Sequence, residues 1–423
     1  MREKLFILFM VIVLGAVSGF VGCGDDPAYE DPPVTVDLHE PLNPTLTSLT
    51  LMWDGSGSGD FDEYRLFYST ESTLPEALTD YEVFDIRTDT SVTLEGLFEG
   101  TIYWFAVGVW NNDGQWSGYS NIDSGSTMSW EVTRTIDVGE QPYGVVFDDD
   151  GEQAYVTNSA SNSVSVISSS TDGVIATIDT LSNPRGIACD PGGSSVYVVN
   201  ADNFTASRIN PSAESIEESV DVGKSPVQIV LSSSSPNAYV TNSGDSTISV
   251  FTIPPPGVAF TIELNKALYA LAIDPDQDFL YATSITDGEV IAIALSDNSV
   301  EATITVGESP QGVAVSPDGN NVYVSNSLDG TVNVIETGAH TVTDTISVGA
   351  EPHGVACSPD GYYAYVANYQ SGTVSVISTS SGEVVYSVTA GSGSIGIGIS
   401  PDSKKAYVTN FNSNNVSVIE LRK

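Results

Sequence analysis

The chain has 423 residues, enough for two or three domains, and carries 55 Asp and Glu against 13 Lys and Arg, a formal net charge of −42. Such a surface repels phosphate backbones, which need Lys and Arg to displace their counterions, so nucleic acid is excluded as a partner. The acidity fits either solubility or a supply of oxygen ligands for Ca2+, and composition leaves both open.

The first element is an address. Arg2 and Lys4 precede the apolar run Leu5 to Leu14, and the small residues Gly15-Ala16-Val17-Ser18-Gly19 follow. A basic, an apolar and a processing region in that order make a signal peptide; the run is too short for the ~20 apolar residues that span a bilayer. Phe20-Val21-Gly22-Cys23 resembles a bacterial lipobox, with Phe20 in place of the usual Leu. The resemblance implies a signal peptide over 1–22, lipidation of Cys23, and membrane attachment through lipid only. It implies a bacterial cell envelope location, at the outer membrane or cell surface, with the periplasmic side left open. An ordinary cleaved signal with an incidental Cys is the alternative. Residues 23–33 are acidic and Pro-containing and read as a tether without a core.

Residues 34–127 read as short strands between polar turns. The candidates are Ser48 to Trp53, Tyr64 to Tyr68, Ser91 to Leu94 and Ile102 to Val107, each partly alternating as half-buried strands do. Trp53, the pair Leu97 and Tyr103 (placed as a tyrosine corner), and Trp116-Ser117-Gly118-Tyr119-Ser120-Asn121 resemble a fibronectin type III domain. The aromatic residues fit core packing, and the domain is expected to be a spacer or a generic protein-binding module.

The remainder, 130–423, repeats. Tyr155, Tyr197, Tyr239, Tyr281, Tyr323, Tyr365 and Tyr407 recur every 42 residues without a slip. Eleven residues before each stand Gly144, Gly186, Gln228, Ala270, Gly312, Gly354 and Gly396. A period of ~40–45 residues built from short strands predicts propeller blades. The seventh repeat lacks a fourth strand after Val416 to Ile419, and Val132 to Val138 has the sequence to supply it and close the ring. The pentads, such as Ala154-Tyr155-Val156-Thr157-Asn158, resemble the YVTN family of β-propellers, whose relatives include surface-layer proteins and the lactonase superfamily. The fold expected is therefore all-β: a seven-bladed β-propeller behind a fibronectin type III-like sandwich.

Catalytic motifs fail on their context. Gly391-Ser392-Gly393-Ser394-Ile395-Gly396 spells a dinucleotide fingerprint, but a strand follows where the pyrophosphate needs a helix. Asp274-Pro275-Asp276-Gln277-Asp278 opens like an EF-hand but has Phe279 at the required Gly and Ile285 at the closing Glu. No cofactor is expected; Asp148-Asp149-Asp150-Gly151 reads as a turn, with Ca2+ binding as its alternative. His39 and His340 have no visible partner and are expected at the surface. Cys189 and Cys357 occupy equivalent positions of nonadjacent repeats, too far apart for a disulfide, and read as small buried hydrophobes. Asn158, Asn200, Asn242, Asn326, Asn368 and Asn410 are expected to cap loops by bonding backbone.

One position varies against a constant background. Most segments that enter the repeats read Pro-x-Gly, with departures in the third, fourth and seventh copies, and x is Tyr143, Arg185, Val227, Tyr269, Gln311, His353 and Ile395. These segments are expected to be loops around one mouth of the channel. Tyr143, Arg185, Tyr269, Gln311 and His353 are then candidate ligand contacts, for a protein, a peptide or a polar organic molecule. Drift at an unconstrained position is the alternative. A non-enzymatic binding protein is the leading reading; the other is a lactonase-type hydrolase in which Arg185 polarises a carbonyl and His353 moves protons. Replacing Cys23 with Ser should move the protein from the membrane fraction to the soluble fraction. Unchanged partition on fractionation would end the lipidation reading.

Overall fold

The computed structural model describes residues 38–39, 48–55, 61–69, 81–84, 91–95, 97, 101–111, 116–120, 122–126, 128–192, 195–254 and 257–422. The signal, Cys23 and the tether lie outside the described residues. The chain divides into two compact units near Ser129.

In the first unit, Leu49–Met52 pairs with Ser91–Leu94. A second sheet runs Tyr81–Phe84, Phe61–Ser69, Ile102–Asn111, Trp116–Tyr119, with Asp123–Ser126 also pairing Ile102–Asn111. The inward positions of these strands build one core from Leu38, Leu49, Leu51, Trp53, Tyr64, Leu66, Leu94, Leu97, Tyr103, Phe105, Val107 and Val109. Trp53 meets Tyr64 edge to face at 5.6 Å between ring centres. Every aromatic in that set is a packing residue, as the alternation predicts. His39 is exposed but not alone, since its Nε2 lies 2.9 Å from Asp54 Oδ1.

The second unit is a seven-bladed propeller of four-stranded antiparallel sheets. Blade one comprises Pro142–Phe147, Gln153–Asn158, Ser163–Ser168 and Gly173–Ile178. The innermost strands of the next five start at Pro184, Pro226, Leu268, Pro310 and Pro352. Blade seven is Ser394–Ile399, Lys405–Asn410 and Asn415–Arg422, completed by Ser129–Asp137 from the start of the unit. The closing strand thus begins earlier than the 132–138 that the pattern indicates. The added residue Trp130 is 2% exposed, lies edge-on to Tyr363 at 4.8 Å, and donates its indole N–H to Tyr365 Oη at 3.1 Å. Ring closure therefore also grips blade six.

The periodic tyrosine is a wedge between blades. Tyr155 packs with Ile187, Val196 and Val198 of the following blade, and Tyr407 meets Phe147 of blade one at 4.7 Å. A buried aromatic ring covers far more apolar surface than an aliphatic side chain, so one per seam fixes the blade spacing. At the closing seam, Asp172 of blade one accepts from Tyr407 Oη at 2.5 Å and from Lys405 Nζ at 2.8 Å. The recurrent asparagines differ from expectation. The amide of Asn158 donates to Ser163 Oγ at 3.1 Å and Ser165 Oγ at 2.9 Å, and the other copies repeat this pairing with the third strand. They join strands through side chains; backbone capping is added only in some blades, as where Gly307 N–H donates to Asn326 Oδ1. His340 is another correction. It is half-buried, with its ring edge-on to Phe279 at 4.9 Å. Cys189 and Cys357 are free thiols, half-buried rather than fully buried.

A chain starting at Met128 should fold, whereas one starting after Val138 should lose the last strand of blade seven and expose an unpaired edge. Trp130→Ala in the full chain should cost about 3 kcal/mol, as other buried Trp truncations do. Equal melting temperatures and monomeric behaviour for both truncations would refute closure by this strand.

Candidate functional site

The Pro-x-Gly segments are not loops. Each lies at the start of an innermost strand, and each of the seven strands is irregular there. In blade five Pro310 is opposite Asn326 and Gly312 is opposite Ser325, leaving Gln311 as the extra residue of a β-bulge. A bulge re-aims the side chain it carries, which is why position x escapes the alternation of its strand. All seven side chains converge on the channel: Tyr143, Val227, Tyr269, Gln311, His353 and Ile395 line an inner cavity of about 130 Å³, and Arg185 lines the space outside it.

Crowding around the axis restricts the neighbouring residue to Gly in five of the seven blades, with Gln228 and Ala270 in the other two. A Cβ on Gly312 would overlap the carbonyl oxygen of His353 in the next blade, and one on Gly396 would overlap that of Tyr143. The hydroxyl in the fourth place of the pentad fills the same gap. Thr157 accepts from Gly144 N–H at 2.9 Å and donates to the Arg185 carbonyl at 2.7 Å. Thr241 donates to the Tyr269 carbonyl at 2.7 Å, Thr409 to that of Tyr143 at 2.8 Å, and Ser325 to that of His353. The four ring residues gripped in this way are Tyr143, Arg185, Tyr269 and His353. Val227 and Ile395 follow blades in which Val199 and Ala367 replace the hydroxyl residue.

Tyr143 and Tyr269, three blades apart, share a hydrogen bond between their hydroxyls. Burial and their mutual proximity push the Tyr143 phenol well above its usual range, and burial does the same to Tyr269. Both remain neutral, and the pair forms a partition. On its inner side lie Gln228 and Gln311 among Val145, Ile187, Leu271, Val313 and Ile397. On its outer side is a vestibule of about 320 Å³, off-centre over blades six, seven, one and two. Gln141, Ser159, Asn183, Arg185, His353, Tyr369 and Phe411 surround it with Ile395 and the two tyrosines. The expected group of five is therefore split: Gln311 is internal, Arg185 external, and Tyr143, Tyr269 and His353 border both.

Two buried polar atoms at this site, Gln311 Oε1 and His353 Nδ1, make no hydrogen bond within the protein. Burial lowers the His353 pKa to about 4, and its ring stacks obliquely on Tyr369 at 5.2 Å. The Arg185 guanidinium lies 5.9 Å from the centre of the Tyr143 ring. No Asp or Glu lines the vestibule, and nothing there pairs with His353 as nucleophile or orienting acid. Among the described residues no group of three His, Cys, Asp or Glu could hold a metal ion. The Asp274 turn spends Oδ1 on the N–H groups of Asp278 and Phe279, at 2.8 and 3.1 Å. Tyr369 and Phe411 escaped the sequence reading. They occupy the place held in the other blades by Ser159, Ala201, Ser243, Ile285 and Ser327, so aromatic rings at only two of seven equivalent positions were the available signal.

A family model described as a YNCE-like β-propeller matches residues 300–422, and the fibronectin type III domain matches residues 32–123. Among solved structures, the chain is similar to the hydrazine synthase of Kuenenia stuttgartiensis, at 23% identity and a TM-score of 0.62, covering 66% of this chain and 95% of that one. This likeness is one of fold. No curated protein matches.

The low pKa of His353 has a consequence for stability. Between pH 6.5 and about 4 the unfolded chain takes up a proton that the folded chain refuses. Stability should therefore fall as pH drops through that window, by on the order of 3 kcal/mol once below it. His353→Asn should lack this component. Parallel pH profiles of melting temperature for the two proteins would show that the ring is solvated.

Proposed function

We propose that the protein is a non-enzymatic binding protein that takes a ligand in the vestibule at the propeller mouth, with the fibronectin type III domain as a spacer. The observation that carries this reading is the partition. The Tyr143–Tyr269 pair gives the channel a floor, so the mouth is a bounded pocket of about 320 Å³ rather than an open pore. Pockets for small organic ligands are of this order, mostly apolar with a few placed polar groups. The repeats fit the YVTN family, and Gly22-Cys23 supports a lipid anchor at the cell envelope. A hydrolase reading has less support, because His353 lacks the partner that a general base needs.

Soaking crystals in a chemically mixed fragment library tests the site. Bound fragments should concentrate in the vestibule and disappear from it when Tyr369 and Phe411 are both replaced by Ser, the residue blades one and five carry there. Fragments gathering at the opposite mouth instead would refute the assignment. Hydrolysis of a lactone panel by the wild type, abolished in His353→Asn, would favour the enzyme.

A further inference from the structure

The chain has few cations, and among the described residues nearly all are committed. Among the described residues of the propeller, Arg208 pairs with Glu217, Lys224 with Asp245, Lys266 with Glu289, Lys404 with Asp402 and Lys405 with Asp172. Arg134 donates to the carbonyl of Thr171 at 2.6 Å. Arg185 is different. It is half-buried, bonds no carboxylate or carbonyl, and has the face of Tyr143 beside it. In a chain with 55 carboxylates, an unpaired guanidinium does not reflect a shortage of partners. Its backbone is also fixed, since Thr157 of the preceding blade holds its carbonyl at 2.7 Å.

The vestibule is polarised. Arg185 and Asn183 enter from the blade two side, and Tyr369 and Phe411 from blades six and seven, their rings 6.4 Å apart. His353 leans on Tyr369 and keeps Nδ1 unpartnered. One end of the pocket thus offers a single planar cation and the other a pair of aromatic faces.

Resting on the binding reading above, we infer that the ligand is an organic monocarboxylate carrying an aromatic or flat apolar group. A carboxylate matches the fork of one guanidinium, in paired and charge-assisted hydrogen bonds. Its apolar group packs against the aromatic pair Tyr369 and Phe411. One unpaired cation balances one negative charge. A phosphate dianion would bring a second charge into a half-enclosed pocket of a chain with net charge −42, where nothing offsets it. A free aromatic acid and the C-terminus of a peptide ending in an aromatic residue share this chemistry.

Titration calorimetry on the full chain tests it, with 3-phenylpropionate, its primary amide, propionate and phenyl phosphate as probes. Wild type should bind 3-phenylpropionate at least ~10-fold more tightly than the amide or phenyl phosphate, the difference one charge-assisted pair makes. Arg185→Gln should erase the preference over the amide, and Phe411→Ser should weaken 3-phenylpropionate without changing propionate. A peptide ending in phenylalanine, with free or amidated C-terminus, separates the two sources. Binding of only the free-acid peptide at equal strength assigns chain termini, and its exclusion assigns small acids. If amide and acid bind alike, or Arg185→Gln changes neither, the carboxylate assignment is overturned. The vestibule itself then still stands if Phe411→Ser weakens the amide. If binding ignores every vestibule variant, both readings fall. Absence of binding by all probes overturns the ligand class and leaves the fragment soak to judge the pocket.

Discussion

The crowding of seven innermost strands around one axis is the constraint from which the rest of this propeller follows. Where a strand comes closest to its neighbour's carbonyl no room is left for a Cβ, so Gly312 and Gly396 are set by distance to His353 and Tyr143, while blades three and four carry Gln228 and Ala270 in that place. The gap that remains is the width of a hydroxyl, and Thr157, Thr241, Ser325 and Thr409 fill it with a bond across the seam. A bulge next to that bond lets each strand turn one side chain toward the channel without breaking its ladder. Scaffold and site are therefore adjacent atoms of the same few residues.

Charge is organised by a similar economy. Among the described residues of the propeller most carboxylates are exposed, and some of the few cations are set where they hold geometry. Lys405 shows the pattern: its amino group lies 2.8 Å from Asp172 and donates to the Ser169 carbonyl at 2.7 Å, tying the last blade to the first. Partly buried pairs of this kind gain their value from several bonds at once rather than from attraction alone. Against that background the position of Arg185 is informative because it contributes nothing comparable to closure.

The sequence made the blades legible because their period is long, constant and marked twice. A tyrosine every 42 residues reports a seam, and seven seams make a ring. The closing strand was legible as a deficit at the C-terminus. Three things were not. The bulge was hidden because Pro-x-Gly has the composition of a turn; only pairing, with Pro310 opposite Asn326 and Gly312 opposite Ser325, shows the extra residue. Trp130 was hidden because its partners, Tyr363 and Tyr365, are more than two hundred residues away and on a different blade. The split of the ring residues was hidden because Tyr143 and Tyr269 meet across the channel, a contact that depends on blade number and not on spacing.

The same geometry explains how a repetitive scaffold can carry a site without symmetry. At each ring residue the carbonyl faces the neighbouring blade and the side chain faces the channel. After Thr157, Thr241, Ser325 and Thr409 the carbonyl is fixed whatever the side chain is: Arg185, Tyr269, His353 and Tyr143 are chemically unlike and are held in one way. Where the hydroxyl is missing, after Val199 and Ala367, the ring residues are the aliphatic Val227 and Ile395, which pack instead of reaching out. At those four positions orientation is thus secured through the backbone, and the chemistry is left to the side chain. A polar group held by its backbone in a fixed frame loses little freedom on meeting a ligand, which is the condition for a small number of contacts to suffice.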